Sequence, residues 1–409
     1  IGGIIPRHVP CTEKVISVDC DGSFLLMQCE NGAVYGRGSN QSGQFGCDKF
    51  TSLKLGRETH LIPLPHDISV AQIASGGQTS VIVSTTGELY MWGHFHGYLP
   101  PSACQNDSYT NPYPRDQWLN GECVHDVHGK GMARCIVTTA GNVYTGGWSS
   151  MEGASGILGV GSDSGLVPVS KGQHIVEGPL RIPYFVNNRI SIRKVSCGRL
   201  HSIALTSDGQ QVYGWGDNRL DQLGLGEERF GSGYHEPIAM ASLPTTINMC
   251  NNRTSNSSNN EASRRYIEDI ACGDSFTVVL CSWYDDEKTK KSIVYGCGTN
   301  CAGQLGRDPF DTTTKTRVKY DYMTTVVTEA LTNKKKHKIS KEVQRWEGCP
   351  YEHDAWHTSD ICSNGVQPIG EIQLSSHVRE QYVAKYGVEA VDTMMVSVTA
   401  VSCGGAHCA

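Results

Sequence analysis

The chain has 409 residues and a net charge of −6, from 35 Lys plus Arg against 41 Asp plus Glu. This balance lacks the bulk positive charge of a dedicated nucleic-acid-binding protein, so we expect no nucleic-acid partner. With 38% hydrophobic and 8% aromatic residues the chain can bury a core, which excludes wholesale disorder. No apolar run approaches the roughly 20 residues that span a bilayer, so we expect no membrane-spanning helix and no membrane partner.

The 17 cysteines are too dilute for a secreted disulfide scaffold, and their odd number favours free thiols in a reducing compartment. We therefore expect an intracellular protein, cytoplasmic or cytoskeletal, with the nucleus as the alternative. The sequence begins at Ile1 without Met and ends at Ala409 within what resembles a strand. We expect one or both ends of the natural protein to lie outside it.

One phrase recurs five times around a tyrosine, which follows a glycine turn in the first four copies. The five tyrosines are Tyr35, Tyr90, Tyr144, Tyr213 and Tyr295. A β-branched run precedes the turn, as in VIVSTTGELYMWG at 81–93, and this pattern predicts two antiparallel strands joined by a tight turn. CGGAHCA at 403–409 opens a sixth copy.

A small antiparallel sheet of this kind buries its faces only against copies of itself. Radial stacking does so while leaving short, protected edges, so an all-β propeller is favoured over a sandwich, with a solenoid as the alternative. Proline-containing approaches, LIPLPHDISVAQI at 61–73 and LRIPYFVNNRISIRKV at 180–195, predict edge strands or connecting loops.

The fourth copy carries the fullest motif: Cys197-Gly198, His201-Ser202, Asp208-Gly209, Val212-Tyr213, Trp215-Gly216 and Gln222-Leu223-Gly224. The fifth keeps Gly303-Gln304-Leu305-Gly306, and the first keeps Gly43-Gln44 and Gly46, with Phe45 in the Leu position. These residues resemble the regulator of chromosome condensation repeat family. The resemblance implies a β-propeller with seven blades in the family, of which we recognise five and the start of a sixth. The second and third copies lack the Gly-Gln-Leu-Gly ending, which predicts altered loops on one face.

The repeat spacing also predicts the domain organisation. Blades one to five occupy 1–306, with a polar loop at 250–263, and a truncated sixth blade starts at 396–409. The intervening 307–395 is interpreted as an insertion between blades, with an unrecognisable blade as the alternative. Within it, the spacing of apolar residues behind Ser376 predicts a short helix over 375–387.

The insertion holds a group of residues with metal-like spacing: Cys349, His353, His357 and Cys362. Thiolate and imidazole are the ligands that tetrahedral zinc favours, so these residues are the candidate ligands of a structural zinc. The order and spacing of these residues match no common zinc finger, so a metal-independent loop is the favoured interpretation and the zinc site is the alternative. The string is one substitution from H-E-x-x-H, with Asp354 where a metalloprotease has its Glu. A basic run at 334–338 predicts an exposed loop or an interaction segment.

The sequence shows no nucleophile elbow, no phosphate-binding loop with its Lys, and no Cys–His–Asn signature. We therefore predict a non-enzymatic protein with no catalytic residues and no cofactor, and nucleotide exchange and the structural zinc stay as alternatives. The favoured function is a non-enzymatic scaffold that binds other proteins within a multi-subunit complex. The resemblance implies a second hypothesis, guanine-nucleotide exchange on a small GTPase. A third is the substrate- or adaptor-binding part of a large ubiquitin ligase.

Overall fold

The computed structural model describes residues 11–21, 24–46, 58–65, 68–93, 109–114, 119–131, 133–150, 156–161, 167–170, 173–175, 179–225, 234–240, 265–284, 288, 290–299, 305, 315–316, 362–363, 367–368, 401 and 403. These residues form almost entirely antiparallel strands. No helix among them is long and apolar enough to cross a membrane. The chain divides into two compact units, one of Ile1–Ser207 with Tyr234–Pro237 and one of Asp208–Gly233 with Ile238–Ala409.

The first unit begins with two four-stranded sheets whose strands pair in chain order. Blade one contains β1 (Val15–Asp21), β2 (Phe24–Cys29), β3 (Val34–Gly38) and β4 (Thr59–Leu61). Blade two contains β5 (Val70–Gly76), β6 (Thr79–Ser84), β7 (Leu89–Gly93) and β8 (Tyr109–Pro114). The central strand β6 is buried along its whole length, as its run of β-branched residues predicts.

Blade three is a larger sheet of six strands. They are β9 (Val124–Lys130), β10 (Ala133–Thr138), β11 (Val143–Ser150), β12 (Val167–Ser170), β13 (Gln173–Ile175) and β14 (Leu180–Arg181). A short helix, α1 (Pro183–Asn187), follows β14. The proline pattern at 180–195 predicted only a strand or loop, and that prediction was wrong for α1, where Pro183 stands at the first helical position that its fixed φ suits.

The fourth repeat supplies strands to both units. In the first unit, β15 (Ile192–Cys197) pairs antiparallel with β16 (His201–Thr206). The chain continues through β17 (Val212–Gly216) and β18 (Tyr234–Ala239).

Blade five of the second unit contains β19 (Tyr266–Cys272), β20 (Phe276–Tyr284) and β21 (Lys290–Gly298). Two further short strands, β22 (Lys315–Thr316) and β23 (Cys362–Ser363), pair with each other. The fourth strand of blade five is β24 (Gln367–Pro368), which pairs with β21. Since β24 lies within 307–395, part of the range interpreted as an insertion belongs to blade five. The predicted helix at 375–387 and the basic run at 334–338 lie outside the described residues.

Four of the repeat tyrosines occupy equivalent positions in their sheets. Each pairs with the fourth residue of the central strand: Tyr35 with Met27, Tyr90 with Ile82, Tyr144 with Ile136 and Tyr295 with Val279. The turns before the first three contain Gly32, Gly87 and Gly141, all with φ near +80°. A glycine suits this left-handed conformation because a side chain would be strained there. The predicted structural equivalence of these four tyrosines is confirmed.

The hydrophobic core of the first unit lies between successive blades. One cluster joins Phe45 and Leu26 of blade one to Ile82 and Trp92 of blade two. Another joins blade two to blade three through residues that include Met91 and Tyr144. Each blade therefore buries its apolar faces against the next copy, as the repeat argument required.

Candidate functional site

Polar side chains on the innermost strands tie each blade to the next. In β5 the pairing register slips between Val70 and Gln72, and the Gln72 side chain points to the following blade. Its Oε1 accepts a hydrogen bond from Val127 N at 3.3 Å. Asp126 stands at the equivalent position of blade three, and its Oδ2 accepts from Val195 N at 2.9 Å. The same position thus supplies the same bond in two successive blades.

The second unit repeats this contact. Asp269, at the corresponding register slip of β19, accepts a hydrogen bond from Val401 N at 3.1 Å. Val401 and Cys403 also pack against the cluster formed by Phe276, Val278 and Leu280. Val401 therefore has the place relative to blade five that Val195 has relative to blade three, which supports the prediction that a sixth copy starts near residue 396.

A second set of inter-blade bonds lies two residues further along the innermost strands. Asp19 of β1 accepts from both the backbone N and the Oγ of Ser75, at 2.5 and 2.7 Å. His128 of β9 accepts through Nδ1 from Cys197 N at 3.0 Å. A carboxylate and an imidazole therefore perform the same structural task in different blades, because each offers an acceptor to the backbone N–H that faces it.

The Gly-Gln-Phe-Gly segment of blade one folds into a closed loop. Asn40 Oδ1 accepts from Phe45 N at 2.8 Å, and Gln44 Oε1 accepts from Ser42 N at 2.9 Å. Phe45 is fully buried against blades one and two. The Gln44 carbonyl points outward from the loop and accepts from Ser80 Oγ and Trp92 Nε1, both at 2.7 Å.

The corresponding loop of the second unit has the same bonds. Asn218 Oδ1 accepts from Leu223 N at 2.8 Å, and Gln222 Oε1 accepts from Leu220 N at 2.9 Å. The Gln222 carbonyl accepts from Thr277 Oγ1 at 2.7 Å and from Cys297 Sγ at 3.5 Å. The motif thus has a structural role, since its amide closes the loop and its carbonyl holds the following blade.

The third copy forms a similar glycine turn, although it lacks the glutamine of the Gly-Gln-Leu-Gly ending. Residues 156–159 read Gly-Ile-Leu-Gly, with φ of +98° at Gly156 and +66° at Gly159. Gly159 N donates to Gly156 O, as Gly46 N donates to Gly43 O in blade one. Ile157, which replaces the glutamine, is fully buried. The two glycines three residues apart therefore indicate this turn better than the glutamine does.

The turns that follow the innermost strands of the first unit form a surface that we call the turn cluster. Asp21, at the end of β1, accepts backbone hydrogen bonds from Gly77 N and, at 3.3 Å, from Gly131 N. A Cβ on Gly77 would lie 2.8 Å from Gly131 O, and one on Gly131 would lie 2.9 Å from Arg199 O. Four successive repeats therefore meet here, in a cluster made of Asp21, Gly77, Gln78, Lys130, Gly131, Arg134 and Arg199.

The described part of the turn cluster is mainly cationic. Burial raises the pKa of Asp21, while the two backbone N–H groups and the nearby Lys130 and Arg134 act to lower it. Arg134 is buried and donates to Gly76 O at 2.5 Å and to Thr79 Oγ1 at 2.7 Å, so its charge is held under the turns. Arg199 and Gln78 are exposed. The cluster thus offers a rigid backbone with an exposed guanidinium.

A cysteine–histidine group beneath these turns has the composition of a nucleophile and its base. A hydrogen bond from Cys135, and then the neighbouring His128, hold the pKa of Cys197 below its ordinary value, although burial opposes them. The pKa of Cys135 rises well above its ordinary value because of its bond to Cys197 and its burial. Both thiols are completely buried, so no substrate reaches them in this conformation. We therefore interpret this group as structural.

The structure does not test the predicted zinc site. Cys349, His353 and His357 lie outside the described residues, and Cys362 is the first residue of β23. Within the part of the chain that the structure describes, no three His, Cys, Asp or Glu side chains are grouped to hold a metal ion. A zinc site at these four residues stays a prediction.

The repeats match known family models. Two models described as "Regulator of chromosome condensation (RCC1) repeat" match this chain, one at 70–96 and 192–222 and the other at 210–280. These matches identify regulator of chromosome condensation repeats at 70–96 and 192–280 of the chain. It is 27% identical over 225 residues to the human probable E3 ubiquitin-protein ligase HERC6, a match that covers 54% of this chain and 20% of that protein. The chain thus spans about a fifth of that relative.

Two solved structures share the fold. Human WBSCR16 matches with a TM-score of 0.52 and 20% identity, over 72% of this chain and 64% of that chain. Yeast RCC1 (Prp20), solved with Kap60, matches with a TM-score of 0.51 and 19% identity, over 69% of this chain and 57% of that chain. Together with the antiparallel blades, these matches confirm the predicted all-β propeller of the regulator of chromosome condensation type.

Proposed function

We propose that this chain is a non-enzymatic protein–protein interaction module that works within a larger protein or assembly, and that the turn cluster is its main binding surface. The observation that carries the proposal is the meeting of four repeats at Asp21, Gly77, Gly131 and Arg199. Turns fixed in this way lose little conformational entropy on binding, which favours affinity. The exposed Arg199 suits a partner with carboxylates on its surface.

The use of the polar side chains supports a binding role. Asp19, Asp126 and Asp269, which could otherwise act as acids or bases, each accept backbone hydrogen bonds from the next copy. The one Cys–His group described above is inaccessible. Yeast RCC1, of the same fold, was solved with a protein partner, Kap60, which agrees with a propeller that binds proteins.

A second candidate is the substrate- or adaptor-binding part of a large ubiquitin ligase. The likeness to HERC6 favours it, because the match covers only a fifth of that ligase. In a ligase of this kind the catalytic segment would lie outside the matched region, and the propeller would bind the substrate or adaptor protein. Guanine-nucleotide exchange on a small GTPase is the further alternative.

Arg199→Glu tests the binding surface. Full-length tagged protein, wild type or variant, is used to capture partners, which mass spectrometry then quantifies. We expect a specific partner to be retained roughly tenfold less by Arg199→Glu. Arg189→Glu is the matched control, since Arg189 is also an exposed arginine of the first unit but lies after α1. Equal loss in both variants, or no loss in either, would contradict the proposed surface.

A parallel assay tests the exchange alternative. Release of a fluorescent nucleotide is followed for a panel of small GTPases with the wild-type chain. Acceleration above about tenfold, or roughly 1.4 kcal/mol of barrier, for one GTPase would replace the scaffold proposal by an exchange factor. Recovery of ubiquitin-conjugating machinery among the captured proteins, lost with Arg199→Glu, would instead favour the ligase version.

A further inference from the structure

Two cysteine thiols meet at the edge of blade one. Cys11 lies on the segment that leads into β1, and Cys29 is the last residue of β2. Their Sγ atoms are 3.9 Å apart. A disulfide has an S–S distance of about 2.05 Å, so the two sulfurs need to approach by less than about 2 Å to bond.

The backbone around the pair holds the two thiols together. Val15 pairs with Cys29 in the ladder between β1 and β2. One residue further, Glu30 N donates to Lys14 O at 2.9 Å, and Lys14 Nζ forms an ion pair with Glu30 Oε1 at 2.7 Å. The Lys14–Glu30 ion pair is exposed and contributes little by itself. The segment before β1 therefore lies beside the end of β2, which places Cys11 next to Cys29.

This pair differs from the other described cysteines in its accessibility. Cys135 and Cys197 are neighbours but are completely buried, so an oxidant in solvent does not reach them. Cys20 and Cys123 are exposed. The Cys11–Cys29 pair combines a half-exposed thiol with a buried neighbour. That combination is typical of an attacking cysteine and its resolving cysteine.

We propose that Cys11 and Cys29 form a reversible disulfide when the protein meets a peroxide. The Cys11 thiolate attacks one peroxide oxygen, the O–O bond breaks, and hydroxide leaves and takes up a proton to become water. The product is a sulfenic acid at Cys11. The Cys29 sulfur then attacks the Cys11 sulfur, the S–O bond breaks, the Cys29 proton goes to the departing oxygen, and a second water leaves. Two thiols and one hydrogen peroxide thus give one disulfide and two waters.

The order of these steps follows from the surroundings of the two thiols. Burial, and then the neighbouring Cys11, raise the pKa of Cys29, so this residue stays a thiol at neutral pH. Its sulfur is also enclosed, whereas the Cys11 sulfur lies on a half-buried residue that a small peroxide can reach. The disulfide would fasten the segment before β1 to blade one, where in the reduced protein noncovalent contacts such as the Lys14–Glu30 ion pair hold it.

Peptide mapping of the full chain tests the proposal. The reduced protein is treated with hydrogen peroxide, the remaining thiols are alkylated, and the chain is digested without reductant. We expect a cross-linked peptide that contains Cys11 and Cys29, has lost two hydrogens, and disappears with dithiothreitol. A wild-type protein in which Cys29 is alkylated equally before and after peroxide, or in which Cys11 is only over-oxidised, would overturn the proposal.

Two variants separate this chemistry from general oxidation. In Cys29→Ser, dimedone should trap a sulfenic acid at Cys11 and no cross-link should form. Cys20→Ser, which removes another exposed thiol of blade one, should cross-link as the wild type does. Loss of the cross-link in Cys20→Ser would point to a different pairing and contradict the proposal. The wild-type mapping does not depend on the stability of either variant.

Discussion

At the scale of single residues, Asp21 joins two turns by hydrogen bonds, but burying its charged form costs stability. It bonds to Gly77 N and Gly131 N, yet its pKa is raised because burial outweighs these bonds and the nearby cations. A raised pKa means that folding favours the protonated form. The stability that Asp21 contributes is therefore fully present below the unfolded carboxyl's pKa and is lost as the pH rises through the folded pKa.

Asp21→Asn tests this sign. Asparagine stays neutral and keeps an acceptor oxygen. As the pH rises from about 4 to 7, the wild type should therefore lose free energy of unfolding relative to the variant. The free energy of unfolding, measured with guanidinium chloride across this range, gives the difference between the two proteins. Other titrating groups are shared and largely cancel. Parallel pH profiles, or a wild type that gains on the variant as the pH rises, would show that the sign is wrong.

Among the titratable residues, the roles of individual side chains could not be read from the sequence. Asp126 and His128 contact the backbone of residues 69 positions further along the chain, in the next repeat. No local pattern signals such a partner, because the contact depends on how neighbouring blades stack. The His201-Ser202 motif was visible in the sequence. The inter-blade hydrogen bonds of Asp19, Gln72 and Asp126 emerged only from the three-dimensional register.

At the scale of secondary-structure elements, the Gly-Gln-Phe-Gly loop should contribute measurably to stability. Gln44 is buried, and its side chain is the acceptor for Ser42 N. Removing the amide in Gln44→Ala leaves that N–H without its partner and opens space beside Phe45. We expect a loss of about 1–2 kcal/mol in the free energy of unfolding.

Chemical denaturation measures this loss. Gln41→Ala is the control, because Gln41 is an exposed residue of the same loop, and we expect it to change stability by less than about 0.5 kcal/mol. Gln222→Ala should behave like Gln44→Ala, since it has the same bond to Leu220 N in the second unit. A Gln44→Ala protein as stable as Gln41→Ala would remove the structural role that we assign to this glutamine.

The strands themselves were largely predictable. A β-branched run, a glycine turn and a tyrosine located β2–β3, β6–β7 and β10–β11, because alternation and turn chemistry act within a few residues. The apolar run and the tyrosine located β20–β21, which has no glycine in its turn. The outer strands were harder. β14 and β24 have two residues each, and pairing with the neighbouring strand rather than their own composition makes them strands. The turn cluster, which joins four repeats, was not predicted.

At the scale of the whole molecule, the position of β24 changes how the sequence between 307 and 395 should be tested. Removing all of it would delete the strand that pairs with Tyr295 and Gly296 of blade five. A narrower deletion is available, since Thr316 of β22 pairs directly with Cys362 of β23. Residues 317–361 can therefore be replaced by a two-residue Asn-Gly turn, which favours a tight antiparallel hairpin.

We expect the 317–361 deletion to leave the protein folded and to weaken the binding of a partner that contacts this segment. The physical reason is that the described blades are stabilised by neighbouring blades, whereas the segment carries the basic run at 334–338 and three of the four candidate zinc ligands. Thermal unfolding and partner capture should be compared with the wild type and with the wider 307–395 deletion, which we expect to be less stable because it lacks β24. Metal analysis of the same samples tests the zinc prediction, since bound zinc should be lost with the segment. Unfolding of the narrow deletion would show that the segment stabilises the blades, and unchanged affinity for every captured partner would show that it contacts none of them.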